Sequence, residues 1–255
     1  METKSIKNNR TTDLIKKPIL LVILTIIVFF VSQIFALYIL ILFKSADHYS
    51  FSQINNWISN SIYAQFFYVL IAEFINLAFV FLYLNKFKIS FKSIGLIKPK
   101  ISDLFRAVVV FPIYYGTYFI FVIAITFFYK GLNISQSQQV GFNHVSGGVE
   151  MLLSFIALVV LPPITEEILV RGVIYSSLKQ KIKPIYAVIL TSLLFASAHL
   201  PEGGRAGLFW IGAIDTFVLS MYLIYLREKT GGLFASMVLH ALKNGVAFYY
   251  LFIIH

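Results

Sequence analysis

Apolar residues run along this 255-residue chain in long unbroken blocks instead of alternating with polar ones. Seven blocks approach or exceed the roughly 20 residues that a helix needs to cross a hydrocarbon layer. They extend from Pro18 to Phe43, Trp57 to Leu84, Leu104 to Tyr129, Val149 to Leu178, Pro184 to Leu200, Ala206 to Leu226 and Leu233 to Ile254. The pattern predicts an all-α, polytopic membrane bundle of seven helices. Pro162 and Pro163 interrupt the fourth block, and each lacks a backbone donor, so two packed half-helices and an eighth element are an equal reading. The first block is about twice as long as a signal-peptide core and no small-residue cleavage pattern follows it. The expectation is a retained anchor, a mature chain starting near Met1, and one integral membrane domain over 1–255. No internal repeat, low-complexity tract or domain linker is visible.

Composition agrees with the blocks: 59% of residues are hydrophobic and 13% charged, outside the soluble globular range. Cysteine is absent, which excludes disulfides, a thiolate nucleophile and cysteine metal ligands. The net charge of +10 is dispersed over short loops beside apolar blocks. That distribution fits orientation and contact with membrane lipid, not nucleic acid. Lys4, Lys7, Arg10, Lys16 and Lys17 precede the first block; Lys86, Lys88, Lys92, Lys98, Lys100 and Arg106 follow the second; Lys179, Lys181 and Lys183 follow the fourth; Arg227 and Lys229 follow the sixth. The alternate loops hold only Lys44, Lys130 and Arg205. Basic residues collect on the cytoplasmic side, so residues 1–17 form a cytoplasmic segment and the carboxy terminus lies outside.

Inside the blocks, a charge at mid-depth costs about 2.5–3.5 kcal/mol and needs a partner or a purpose. The residues in question are Glu73, Glu166, Glu167, Arg171, His199, Asp215, His240, Lys243 and Asn244. Glu167 and Arg171, four apart with the acid first, suit one helix face, and a structural ion pair is their simplest role. Glu166 is rotated by about 100° and must meet something else. At 1.5 Å per residue, Glu166 lies about 20 Å from the cytoplasmic edge, His199 about 22 Å, His240 about 13 Å and Asn244 about 20 Å. His240 and Asn244 share a face, and Phe195 stands one turn before His199. A lone histidine in an apolar helix is usually an interhelical hydrogen bonder; convergence on one level argues for more. A carboxylate and a histidine can activate water, and a second histidine with an amide can hold oxyanion charge. Glu73 and Asp215 have no partner at i+4 and stay outside this set.

These residues resemble the CPBP membrane proteases, also called the Abi family, which include type II CAAX prenyl endopeptidases and bacteriocin-processing or self-immunity proteins. The family's paired glutamates and arginine read as Glu166, Glu167 and Arg171; its phenylalanine and histidine as Phe195 and His199; its last histidine and asparagine as His240 and Asn244. The run "LREKTGGLFASMVLHALKN" also looks like the family's approach to that last histidine. The resemblance covers about residues 145–250, a protease core. It implies that Glu166 and His199 activate water, that His240 and Asn244 form the oxyanion hole, and that the chain sits in a bacterial plasma membrane. The implied substrate is a peptide or membrane-associated protein precursor.

Glu166, His199 and His240 would also make a three-ligand zinc site with one open position. No HExxH spacing supports zinc, and glutamate with histidine can activate water without it, so a metal-free mechanism is preferred. Two other readings remain: a non-enzymatic immunity or scaffold protein, since fold does not dictate function, and a proton-coupled transporter. The second is disfavoured because the helix break and buried charges cluster in one half of the chain instead of recurring in both.

Overall fold

The computed structural model describes residues 18–142 and 145–254, and among these it is all helical. The basic amino-terminal segment, with Lys4, Lys7, Arg10, Lys16 and Lys17, lies outside the described residues. The helices are α1 (Pro18–Ser45), α2 (Phe51–Asn60), α3 (Ile62–Lys86), α4 (Ile101–Phe128), α5 (Gly148–Leu178), α6 (Pro184–Ala198), α7 (Trp210–Thr230) and α8 (Phe234–Ile254). All but α2 carry a stretch long and apolar enough to cross a membrane, α6 when its 3₁₀ continuation through Gly204 is included. The chain is an integral membrane protein.

The second apolar block begins later than its hydropathy predicts. Residues Phe51–Asn60 form the separate helix α2, started by a capping box in which the Ser50 N–H donates to the Gln53 side chain at 2.8 Å. Ser61, in extended conformation, ends α2 and caps α3 by accepting from the Ala64 N–H. Polar Asn55, Asn56 and Asn60 make α2 unsuited to hydrocarbon. The sixth span likewise starts at Trp210, because Leu200–Ala206 forms a 3₁₀ loop.

α5 is one continuous helix, not two halves. Pro162 and Pro163 occupy the first turn of its Leu161–Glu166 segment, where their missing donors cost least, and the helix widens into π turns at Ile156–Val160 and Glu167–Tyr175. α7 is the central helix: 56% of its spanning window is buried, against 11% for α4. It packs on α4, α6 and α8, while α5 packs on α1, α3, α6 and α8. Leu219, Leu223 and Leu226 of α7 meet Tyr114 of α4 and Leu239 of α8 in one apolar cluster; Leu21, Val80, Ile94, Leu169 and Val173 form another around α1, α3 and α5. Large exposed side chains such as Phe30, Phe74 and Phe128 form the outer belt, as expected beside lipid.

The basic loops meet at one end of the bundle. Lys179 after α5 pairs with Glu228 of α7, the Leu233 N–H donates to the Gly95 carbonyl at 3.0 Å, and the Arg227 guanidinium lies against Gly95, whose φ of +89° suits glycine. Gly172, in the π turn of α5, faces the Ile94 carbonyl so closely that an added Cβ would sit 3.2 Å from the oxygen. Gly172→Val should therefore wedge α5 away from this loop. The expected loss is about 1–3 kcal/mol in detergent unfolding, with Gly172→Ala milder.

Candidate active site

Arg171 is the anchor of the site. Its side chain has no solvent exposure, and its Nη1 donates to Glu167 Oε1 at 2.8 Å, the i,i+4 pair expected from spacing. The guanidinium carbon lies 4.2 Å from the Phe195 ring centroid on α6, so the cation is held by a carboxylate and an aromatic face together. Glu167 Oε1 is also 3.0 Å from His240 Nδ1 on α8. A carboxylate only accepts, so Nδ1 carries the hydrogen and Nε2 is turned the other way. There it faces Glu166 Oε2 at 3.8 Å. His240 thus stands between the two glutamates, and Glu167 does more than neutralise Arg171: it fixes the tautomer and ring of His240.

Phe195 also orders the second histidine. Its ring meets His199 edge-on at 4.7 Å and His240 at 5.8 Å. His199 Nδ1 lies 2.8 Å from the Phe195 carbonyl, which again only accepts, so the neutral imidazole keeps its Nε2 lone pair free. Nε2 points to Glu202 Oε1 at 3.9 Å.

Glu166, His199, His240 and Asn244 line one cavity of about 270 Å³, together with Pro162, Gln138, Glu202 and Lys243. A second, apolar cavity of about 200 Å³, walled by Ile26, Phe29 and Phe30 of α1 and by Leu194 of α6, reaches Glu166, His199 and Glu202 from the other side. Glu166 Oε2 is buried without a hydrogen-bond partner among the described residues. Glu166 therefore borders both the polar and the apolar cavity.

Asn244 has a partner that its spacing does not reveal. Its Nδ2 donates to the Leu158 carbonyl at 3.0 Å. In an α-helix that carbonyl would accept from residue 162, but Pro162 has no N–H. The proline break leaves the acceptor bare, and the amide from α8 fills it. Among the described residues no group of three or more His, Asp and Glu side chains is placed to hold a metal ion. The trio Glu166, His199 and His240 does not fit as a ligand set in this arrangement, and no step below is routed through a metal.

Residues 148–246 match the family described as type II CAAX prenyl endopeptidase Rce1-like. The match is consistent with a CPBP-family protein. It includes every residue of the Arg171 anchor and of the CPBP-type motifs, and excludes α1 to α4. No curated protein and no solved structure matches the chain.

Spacing missed Glu202 and Gln138. Gln138 Nε2 donates to Glu202 Oε2 at 2.7 Å, which brings the loop after α4 over the cavity. Glu202, three residues after His199, was open to the same periodic argument; Gln138 sits in a polar loop with no periodic signal. Asp215, without a partner on its own helix, finds Tyr114 on α4 and Lys243 on α8.

Asn244→Ala should cost about 1–3 kcal/mol by stranding the Leu158 carbonyl. Pro162→Ala supplies a competing N–H, so a double-mutant cycle of unfolding free energies should show the Asn244→Ala loss shrinking in the Pro162→Ala background.

Proposed function

We propose that this protein is an intramembrane endopeptidase that hydrolyses a peptide bond in a membrane-associated peptide or protein precursor, with water activated by Glu166 and His199. The observation that carries this reading is that Glu166, with one carboxylate oxygen buried without a partner among the described residues, lines a cavity with two histidines whose Nδ1 atoms are already engaged. The Rce1-like match supports a peptidase.

Water held between Glu166 and His199 Nε2 gives its proton to the carboxylate, and its oxygen bonds to the scissile carbonyl carbon. The carbonyl electron pair moves onto oxygen, giving a tetrahedral intermediate. Collapse restores the C=O bond and breaks C–N, while Glu166 returns the proton to the leaving nitrogen. Glu167, Arg171 and Phe195 position the two imidazoles without touching substrate. The mechanism is metal-free in this reading. The apolar cavity beside Glu166 supports a substrate with an apolar segment. The end of the bundle that gathers the basic loops is assigned to the cytoplasm, where basic residues accumulate.

Glu166→Gln keeps the shape and removes the base, so cleavage of a membrane-anchored reporter precursor by purified protein should fall about 10²–10⁴-fold with an unchanged unfolding midpoint. Wild-type activity should survive exhaustive chelation, with no stoichiometric zinc by elemental analysis; activity lost on chelation and restored by zinc would replace this mechanism with a metal one. The absence of cysteine makes orientation equally testable. A single Lys92→Cys protein in intact cells should react with a membrane-permeant maleimide and not with an impermeant one.

A further inference from the structure

The hydrolytic reading needs a group that carries the oxyanion's charge, and a count of donors in the polar cavity finds the expected pair short. His240 gives its Nδ1 hydrogen to Glu167, and its Nε2 faces Glu166. Neutral, with its one hydrogen on Nδ1, the ring presents a lone pair at Nε2 and donates nothing further. Asn244 has one amide hydrogen on the Leu158 carbonyl and retains only the other. With His240 neutral, neither residue offers a positive charge to an oxyanion.

Lys243 does. Among the described residues lining that cavity it is the lysine or arginine present, three residues after His240 and so one turn along from it on α8. Its Nζ lies 3.4 Å from Asp215 Oδ2, and the other Asp215 oxygen accepts from the hydroxyl of fully buried Tyr114. The lysine side chain is only 12% exposed, so it is held in place and stripped of most water. An interhelical lock alone would need the Asp215 contact but no access to the cavity. A lysine ammonium carries three donors, more than the single contact with Asp215 can use.

We propose that Lys243 is a further catalytic residue, the charged donor that stabilises the tetrahedral oxyanion, with Asp215 and Tyr114 as its positioning residues. This rests on the hydrolytic reading above. When water adds to the scissile carbonyl, the electron pair displaced onto oxygen lies against the Lys243 ammonium and the free Asn244 hydrogen. When the C–N bond breaks, that pair reforms the C=O bond and the lysine keeps its protons throughout. A charge that appears only in the transition state makes Lys243 act on kcat and not on KM.

The test uses full-length protein in detergent or liposomes. Lys243→Gln should lower kcat about 10²-fold with KM nearly unchanged, and should weaken binding of a phosphinic peptide, a tetrahedral anion, by a similar factor while leaving its neutral ketomethylene analogue unaffected. Lys243→Arg should recover part of both. Unchanged kcat, or a loss confined to KM, overturns the proposal. Because Lys243→Gln strands the Asp215 charge, the double variant Asp215→Asn with Lys243→Met is the second arm. If Lys243 serves only as a lock, the neutral pair regains wild-type turnover and the proposal is wrong; if it serves the oxyanion, turnover stays low in a protein with a normal unfolding midpoint. A wild type that cleaves no precursor overturns the hydrolytic reading instead, and phosphinic binding then decides the anion site by itself: equal affinity for the phosphinic and neutral peptides removes it.

Discussion

An arginine with no exposed surface inside a membrane helix is the constraint from which the rest of the site follows. Its charge must be met within the protein, and Glu167 and Phe195 meet it from α5 and α6. Each of these then acts on a histidine: Glu167 holds His240 through Nδ1, and Phe195 offers its carbonyl to His199 and its ring to both imidazoles. Removing one partner of such a buried pair typically costs about 3–5 kcal/mol. Arg171 thus ties three helices together, and the geometry of the site and the stability of the bundle share the same few contacts.

The wide π turns of α5 have a comparable logic. An uninterrupted α-helix would bond every carbonyl internally and present no acceptor to a neighbour. Pro162 and Pro163 remove two donors, and Asn244 from α8 takes up one exposed carbonyl. α8 is therefore fixed to α5 at two levels, through His240 and through Asn244.

Much of this was legible from periodicity. Seven long apolar blocks implied seven spans, the i,i+4 spacing implied the Glu167–Arg171 pair, and depth, helix rotation and the motif resemblance together grouped Glu166, His199, His240 and Asn244, which line one cavity. What stayed hidden shares one physical cause: it depends on contacts between residues far apart in the chain. Nothing local says that Glu167 has a second partner 73 residues away, or that the Asn244 amide meets a carbonyl 86 residues before it. The same holds for Gln138 at Glu202, and for Asp215, whose partners lie on α4 and α8. The start of the second span was misplaced for a different reason, because hydropathy averaged across the polar helix α2 and overlooked the break at Ser61.

The bare Leu158 carbonyl has a consequence for how the protein is made. Helices enter the bilayer from the amino terminus onward, so α5 must insert while α8 is still unsynthesised. At that moment it carries Glu166, Glu167 with Arg171, and an exposed carbonyl, all without His240 or Asn244 to receive them, in a medium with no water to substitute. The fourth span is therefore an incomplete passenger until the last helix arrives. A truncation before Phe234 would leave a protein with five correct spans and one that the membrane has reason to reject, so assembly is completed from the carboxy-terminal end.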